Sequence, residues 1–363
     1  MFNSRSYGKW KRVLMQLIPD DCATRLSNLV WLMVGIFESQ SVHLSVIARK
    51  LPIQAKKLSL AKRLERFVSN PAVDVVKWYH PWASWLIRSA SSGGMVHLVI
   101  DSTKVSANHR QIMVAVAYHG RTLPIMWEWV NYARGHCTTK AQIALLKQVQ
   151  ALIPKGVRVS LVGDGEFNRP ILMEELDRWG WSYALRQKCN TLVVSQRGQA
   201  WQRLDSLDVK HGQQQWLGQV LLTESYPYRT NLVVYWQKGE KEPWYLATNQ
   251  PCEQTTIRLY KRRMWIEEMF GDMKGHGFDL EMSRLRTSDR LSRLTLAVCI
   301  LYVWLVTLGE HVLTMGFNTE VDRSDRRDLS IFRLGWDWLE RRFALREPIP
   351  ILFKPNFSLV YGR

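Results

Sequence analysis

The sequence predicts an α/β protein. An all-helical domain over residues 1–90 precedes a mixed core over 91–189 and 256–315. A β-strand insertion at 190–255 interrupts that core, and C-terminal helices over 316–363 follow it. Three observations carry this prediction. Helical periodicity runs through the first 90 residues, gives way to strand-like alternation near residue 95, and returns at about Thr256. Between these points short apolar runs are separated by turn residues, as in sheets. Residues 190–255 alternate without an intervening helical pattern.

Composition bounds the class of partner. The 363 residues carry 50 Lys and Arg against 32 Asp and Glu, a net charge of +18. With 46% hydrophobic and 23% charged residues the chain is ordinary for a folded protein, which excludes wholesale disorder. Its length corresponds to two or three domains. Such a basic chain suits a polyanion, because Lys and Arg that meet phosphates release condensed counterions. Nucleic acid leads, and an anionic membrane surface comes second. The five cysteines (Cys22, Cys137, Cys189, Cys252, Cys299) form no C-x-x-C pair, which argues against a zinc knuckle or a secreted disulfide framework and fits a reducing interior. The start, MFNSRSYGKWKRV, is not followed by the apolar stretch and cleavage site of a signal peptide. The apolar run Leu294–Leu308 is shorter than the ~20 residues a bilayer span needs and reads as a buried core helix rather than a membrane segment.

Residues 1–90 hold 14 Lys and Arg against 5 Asp and Glu, so 14 − 5 = +9, half the excess charge in a quarter of the chain. HLSVIARKL (His43–Leu51) reads as a short helix ended by Pro52. In SLAKRLERFV (Ser59–Val68), Leu60, Leu64, Phe67 and Val68 fall on one helical stripe and leave Lys62, Arg63 and Arg66 outside it. Two short helices with a basic second one resemble a DNA-binding helix-turn-helix. A solvated basic face on a helical bundle has the same pattern.

The core begins with VHLVI (Val96–Ile100), which runs into Asp101. IMVAVAY (Ile112–Tyr118), a turn at His119-Gly120-Arg121, and TLPIMWEWV (Thr122–Val130) complete a meander. A helix from Thr139, with Gln142 able to close a capping box, would bury Leu145, Leu146, Val149, Leu152 and Ile153. VRVSLV (Val157–Val162) ends at Gly163-Asp164, and a helix at Pro170–Trp179 and a strand at Ser182–Leu185 follow. The order βββ-α-β-α-β is that of an RNase H-like core. In the insertion, Gln219–Thr223, Asn231–Gln237 and Trp244–Thr248 read as strands, with a turn at Lys238–Lys241.

Phosphodiester chemistry by two divalent ions needs carboxylates from separate elements converging on metals roughly 3.5–4 Å apart. Hard Mg²⁺, with Mn²⁺ as a possible substitute, suits an Asp/Glu cluster. Asp101 and Asp164 stand at strand ends, where Asp also serves simply as a turn or cap residue. On a single helix at 100° per residue, Tyr260, Arg263, Glu267 and Lys274 share an arc of about 60°. Glu268 and Asp272 fall off that face. The same spacing also describes a salt-bridged surface helix with an i, i+4 Arg263–Glu267 pair.

The motif Tyr260-x₂-Arg263-x₃-Glu267-x₆-Lys274 resembles the signature of the YREK group of DDE transposases, the insertion-sequence-four type. Asp101-Ser-Thr, Gly163-Asp-Gly-Glu-Phe, Lys274-Gly-His-Gly-Phe-Asp-Leu-Glu281 and the basic SLAKRLERFVSNP resemble that family too, over roughly residues 40–310. The resemblance implies Asp101, Asp164 and Glu267 as catalytic metal ligands for two Mg²⁺ ions, and Tyr260, Arg263 and Lys274 as contacts to phosphates near a transposon end. It implies an aromatic of the β-insertion beside a flipped base. Trp236 and Trp244 are candidates, and both could equally pack the insertion's own core. Glu166 stays outside the triad. His136 and His276 are surface histidines by default, since metal-bound water needs no such base.

The implied activity is cut-and-paste transposition. Terminal inverted repeats are bound, the element's ends are cleaved through hairpins, and the 3′-hydroxyls are joined to target DNA. A homodimer would hold two ends on the nucleoid, inside a prokaryotic cytoplasm, with no membrane involved. A nuclease that cuts without joining and a transposase-derived repressor are the rival functions. The tail arginines (Arg323, Arg326, Arg327, Arg341, Arg342) could meet DNA or solvate a helix.

Overall fold

A computed structural model describes residues 4–106, 108–131, 137–195 and 200–358. Five helices come first: α1 (Ser4–Leu17), α2 (Ala23–Ser39), α3 (Leu44–Lys50), α4 (Lys57–Ser69) and α5 (Val75–Ala90). The core follows as β1 (Met95–Lys104), β2 (Arg110–Tyr118), β3 (Arg121–Val130), α6 (Thr139–Gln150), β4 (Arg158–Gly163), α7 (Pro170–Arg178) and β5 (Ser182–Gln187). Next come β6 (Leu192–Ser195), β7 (Gln202–Arg203), β8 (Gln214–Leu222), β9 (Tyr228–Tyr235) and β10 (Trp244–Thr248). The chain closes with α8 (Glu253–Tyr260), α9 (Met264–Met273), α10 (Ser288–Thr314) and α11 (Ile331–Ala344). Two compact units result. One gathers residues 1–89, 104–109 and 269–363; the other gathers 90–103 and 110–268.

In the helical unit, α4 buries the expected stripe Leu60, Leu64, Phe67 and Val68. The Arg293 guanidinium donates at 3.3 Å to the Val68 carbonyl at its end, a cation at the negative end of a helix, and at 3.2 Å to the Val73 carbonyl of the following linker. The apolar run expected as a core helix lies within the 27-residue α10, whose most apolar 18-residue window is 94% buried inside the protein. Helices α10 and α11 approach backbone to backbone. A Cβ on Gly309 would collide with the Ile331 carbonyl, and one on Gly335 with the Leu305 carbonyl.

In the sheet unit all ten strands form one sheet, ordered β3-β2-β1-β4-β5-β10-β9-β8-β6-β7. The strands β1, β4 and β5 are parallel neighbours, as connections through helices require. The element order through β5 is the one read from the sequence. The strands of the segment 190–255 extend the same sheet: β10 pairs antiparallel with β5, and β9 and β8 follow. Such pairing joins Leu185 to Ala247, a partnership that no local pattern encodes.

Three local expectations need correction. The cap of α6 is Thr138 rather than Thr139; the Thr138 side chain accepts from the Ala141 N–H at 3.3 Å, and Gln142 is buried instead of closing a capping box. Helix α6 ends at Gln150, so Leu152 and Ile153 fall beyond it and are half-buried. The strand β1 does not stop at Asp101 but continues to Lys104.

Candidate active site

The register of the central strands sets the site. Ile100 of β1 pairs with Gly163 of β4, so Asp101 and Asp164 are the next residue on each of two adjacent parallel strands. Parallel neighbours lie roughly 4.8 Å apart, which puts the two backbones side by side. Gly163 is suited to this point. A Cβ there would stand 3.0 to 3.2 Å from Phe167, Ile100 and Leu185 side chains.

The expected single helix over 260–274 is not formed. Helix α8 ends at Tyr260, a 3₁₀ turn spans Lys261–Arg263, and α9 starts at Met264. The break redirects the side chains. Tyr260 is 2% exposed, packs its ring 5.1 Å from Trp244, and leaves its hydroxyl without a partner among the described residues. Tyr260 thus packs in the core beside Trp244. Arg263 turns inward: Nη2 donates to Asp101 Oδ2 at 3.2 Å and Nη1 meets Glu267 Oε1 at 2.5 Å. Glu267, on the first turn of α9, is therefore one guanidinium away from Asp101. Glu268 points elsewhere and pairs with Arg121 at 3.0 Å.

Electrostatics mark Asp101 as unusual. Its carboxyl is raised to about 7: burial raises it most, Arg263 opposes that, and Asp164 and Glu267 add to the rise. Three carboxylates that repel one another, with a cation drawn between two of them, are hard oxygen donors suited to a divalent ion. Among the described residues no three His, Cys, Asp or Glu stand close enough to share one metal as the side chains lie. The Arg263 guanidinium, 3.2 Å from Asp101 and 2.5 Å from Glu267, puts positive charge between these two carboxylates, and hard carboxylate oxygens are the donor type that a divalent ion takes.

The remaining expected residues divide. Lys274 donates to the Lys104 carbonyl at 2.8 Å and pairs with Glu281 at 2.9 Å. On α4, Lys62 and Arg66 are exposed, but Arg63 is pinned to Asn28 at 2.6 Å. Trp244 is 6% exposed. Trp236 is half-buried, its indole donating to the Glu240 carbonyl and its ring 4.0 Å from that of His211. Arg342 is engaged with Glu320 and Glu347, and Arg326 with Asp328, so these two tail arginines hold their own segment together. His276 lies 2.9 Å from where a Cβ on Gly271 would be, and His136 lies outside the described residues.

Sequence reasoning missed a basic wall. A cleft of about 550 Å³ beside Asp164 is lined by Arg186, Lys188, Arg203, Tyr245 and Arg263. The signal available was two cations, Arg186 and Lys188, at the end of β5. Arg203 stands more than ten residues further along the chain, and no local pattern predicts that it joins them.

Acidic residues where two parallel strands stop pairing, with a basic cleft beside them, suit an enzyme that acts on phosphates. The family model described as the transposase DDE domain matches residues 92–304, more than half of the chain. The chain belongs to the DDE transposase family, whose members cleave and transfer DNA with divalent metal ions. No curated protein matches it. Among solved structures, a similar chain is the piggyBac transposase in a synaptic complex with hairpin DNA, seen by cryo-EM. It is 10% identical, with 94% of this chain and 78% of that one covered and a TM-score of 0.42. A likeness so slight transfers no roles to individual residues.

Proposed function

We propose that this chain is a cut-and-paste transposase of the YREK, insertion-sequence-four type, built on an RNase H-like core. The observation that carries this is the register pair Ile100–Gly163, which sets Asp101 beside Asp164, together with Arg263 tying Asp101 to Glu267. Asp101, Asp164 and Glu267 would hold two Mg²⁺ ions, with Mn²⁺ able to substitute. When bound, these ions supply activation of the attacking oxygen and neutralisation of charge on the leaving one.

The chain's own residues do the rest. The cations of the cleft, Arg186, Lys188 and Arg203, give a DNA strand a basic wall beside Asp164. Arg263 and Lys274 neutralise charge that builds on the phosphate. The exposed Lys62 and Arg66 of α4 grip the terminal inverted repeat, and Trp236, the less buried of the two candidate indoles, stacks on a flipped base. Cleavage frees a 3′-hydroxyl that closes a hairpin, and after resolution the ends join target DNA. A homodimer holds both ends, on the nucleoid of a prokaryotic cell.

Cleavage of inverted-repeat DNA with Mg²⁺ tests the assignment. Wild type should cut, and Glu267→Gln should lose at least ~10³-fold in rate, as expected when a group at the reacting centre is lost. Equal cutting by both rejects the triad. Binding without cutting by either makes the chain a repressor, and cutting without joining of precut ends makes it a simple nuclease.

A further inference from the structure

We infer that Glu166 is a positioning residue that fixes the separation of the Asp101 and Asp164 carboxylates, and through it the chain's affinity for divalent metal. The inference rests on the proposed carboxylate site and assigns it a fourth acidic residue with a different task.

Glu166 follows Asp164 by two residues, yet its side chain turns away from solvent and is 3% exposed. A buried carboxylate is costly unless its oxygens are fully engaged. Here they are. Oε2 accepts from Arg110 Nη1 at 2.7 Å and from the Ser102 hydroxyl at 2.6 Å, while Oε1 accepts from the Cys137 N–H at 2.7 Å. The Arg110 guanidinium closes the triangle by donating to Ser102 Oγ at 2.9 Å.

The partners matter more than their number. Ser102 is the residue after Asp101, and the Ser102 N–H donates to Asp101 Oδ1 at 2.7 Å. On the other side, the Glu166 N–H donates to Asp164 Oδ1 at 2.9 Å. One residue thus holds Asp164 through its backbone and the segment carrying Asp101 through its side chain. The carbonyl of Glu166 also accepts from Gln142 Nε2 at 3.4 Å, and the same amide donates to the Cys137 carbonyl at 3.3 Å, which ties the start of α6 to the assembly. Three segments far apart in sequence meet at this carboxylate: β1 through Ser102, β2 through Arg110, and the stretch before α6 through Cys137.

The geometry has a chemical consequence. Parallel strands set the two Asp backbones side by side, but each side chain still rotates about its own bonds. A backbone N–H on Oδ1 of each carboxylate, with the two donor segments joined through the Glu166 side chain, sets the direction of the other oxygen. Groups that orient metal-binding carboxylates in this way are worth 10–100-fold in metal affinity or activity when removed. Glu166 itself, with both oxygens occupied by internal donors, is not a ligand.

The test uses the full-length chain with Mn²⁺ as the probe, followed by its electron paramagnetic resonance, alongside nicking of a duplex that ends in the element's inverted repeat. Glu166→Gln keeps the shape but cannot accept from three donors at once. It should weaken Mn²⁺ binding 10–100-fold and lower kcat for nicking to match, with KM for DNA within about threefold of wild type. Raising Mn²⁺ should restore its rate. Asp164→Asn, which removes a ligand, should not be restored. Loss of folded protein alone would reduce the number of Mn²⁺ sites without changing their affinity, so a merely structural role is distinguishable. Should Glu166→Gln fail to fold, Ser102→Ala removes one donor and keeps the Arg110 pair, and it should weaken Mn²⁺ binding in the same direction but less. Wild-type Mn²⁺ affinity in the folded variants overturns the inference. If Asp164→Asn itself binds Mn²⁺ and nicks like wild type, the carboxylate site beneath it falls first.

Discussion

Asp101 and His97 sit four residues apart on β1, and burial acts on them with opposite sign. It raises the carboxyl of Asp101, whereas it lowers the imidazole of His97 to about 4, helped by nearby Arg262. The His97 ring bonds Ser160 on the paired strand at 2.6 Å. Between pH 6.5 and 4 the unfolded chain takes up a proton at this histidine that the folded chain refuses, so His97 withdraws stability as pH falls through that window. Denaturant unfolding at pH 8 and pH 5 should show wild type losing more stability on acidification than His97→Gln. Equal losses would mean the ring protonates freely in the fold. Glu166 is the residue whose importance the sequence concealed. It was visible as an acid two places from Asp164, but Ser102, Arg110 and Cys137 lie 64, 56 and 29 positions away.

At the scale of elements, what could be read locally was read well. Short apolar runs located β1 and β4, alternation located β10, and the α4 stripe matched residue for residue. Tyr260–Lys274 could not be read this way. Lys261, Arg262 and Arg263 are sound helix formers, and nothing in them announces a 3₁₀ turn. The break answers distant demands, Trp244 packing on Tyr260 and Asp101 drawing in Arg263. The adjacent threonines before α6 are interchangeable as caps by composition, and only the backbone chose Thr138. Helices α10 and α11 present a sharper case. Gly335 meets the Leu305 carbonyl and the Gly309 amide with no space for a methyl group. Gly335→Ala should cost about 2–3 kcal/mol by forcing the helices apart, although alanine is the better helix former by ~1 kcal/mol. A melting temperature unchanged from wild type would show that the pair can separate freely.

For the whole molecule, the helical unit is assembled from both ends of the chain. Phe353 packs edge-on against Trp10 and Trp82 at 5.0 and 5.7 Å, and Trp336 lies 5.0 Å from Phe37. Glu310 receives the Asn356 N–H on both oxygens. A chain cut before Ile331 should therefore lose protection in α1 and α2 while β1, β4 and β5 remain protected, as amide exchange would report. Uniform loss across both units would show that they unfold as one. The strand order carries a further consequence, for how copies of the chain can meet. Its last strand at one end, β7, is two exposed polar residues; at the other, β3 contains Pro124, which has no N–H to offer, opposite a register shift at Val114/Ala115. Short or proline-bearing margins discourage a neighbouring molecule from extending the sheet. A sheet of ten strands is thereby guarded at both margins against adding a strand from a second copy and growing into insoluble fibres.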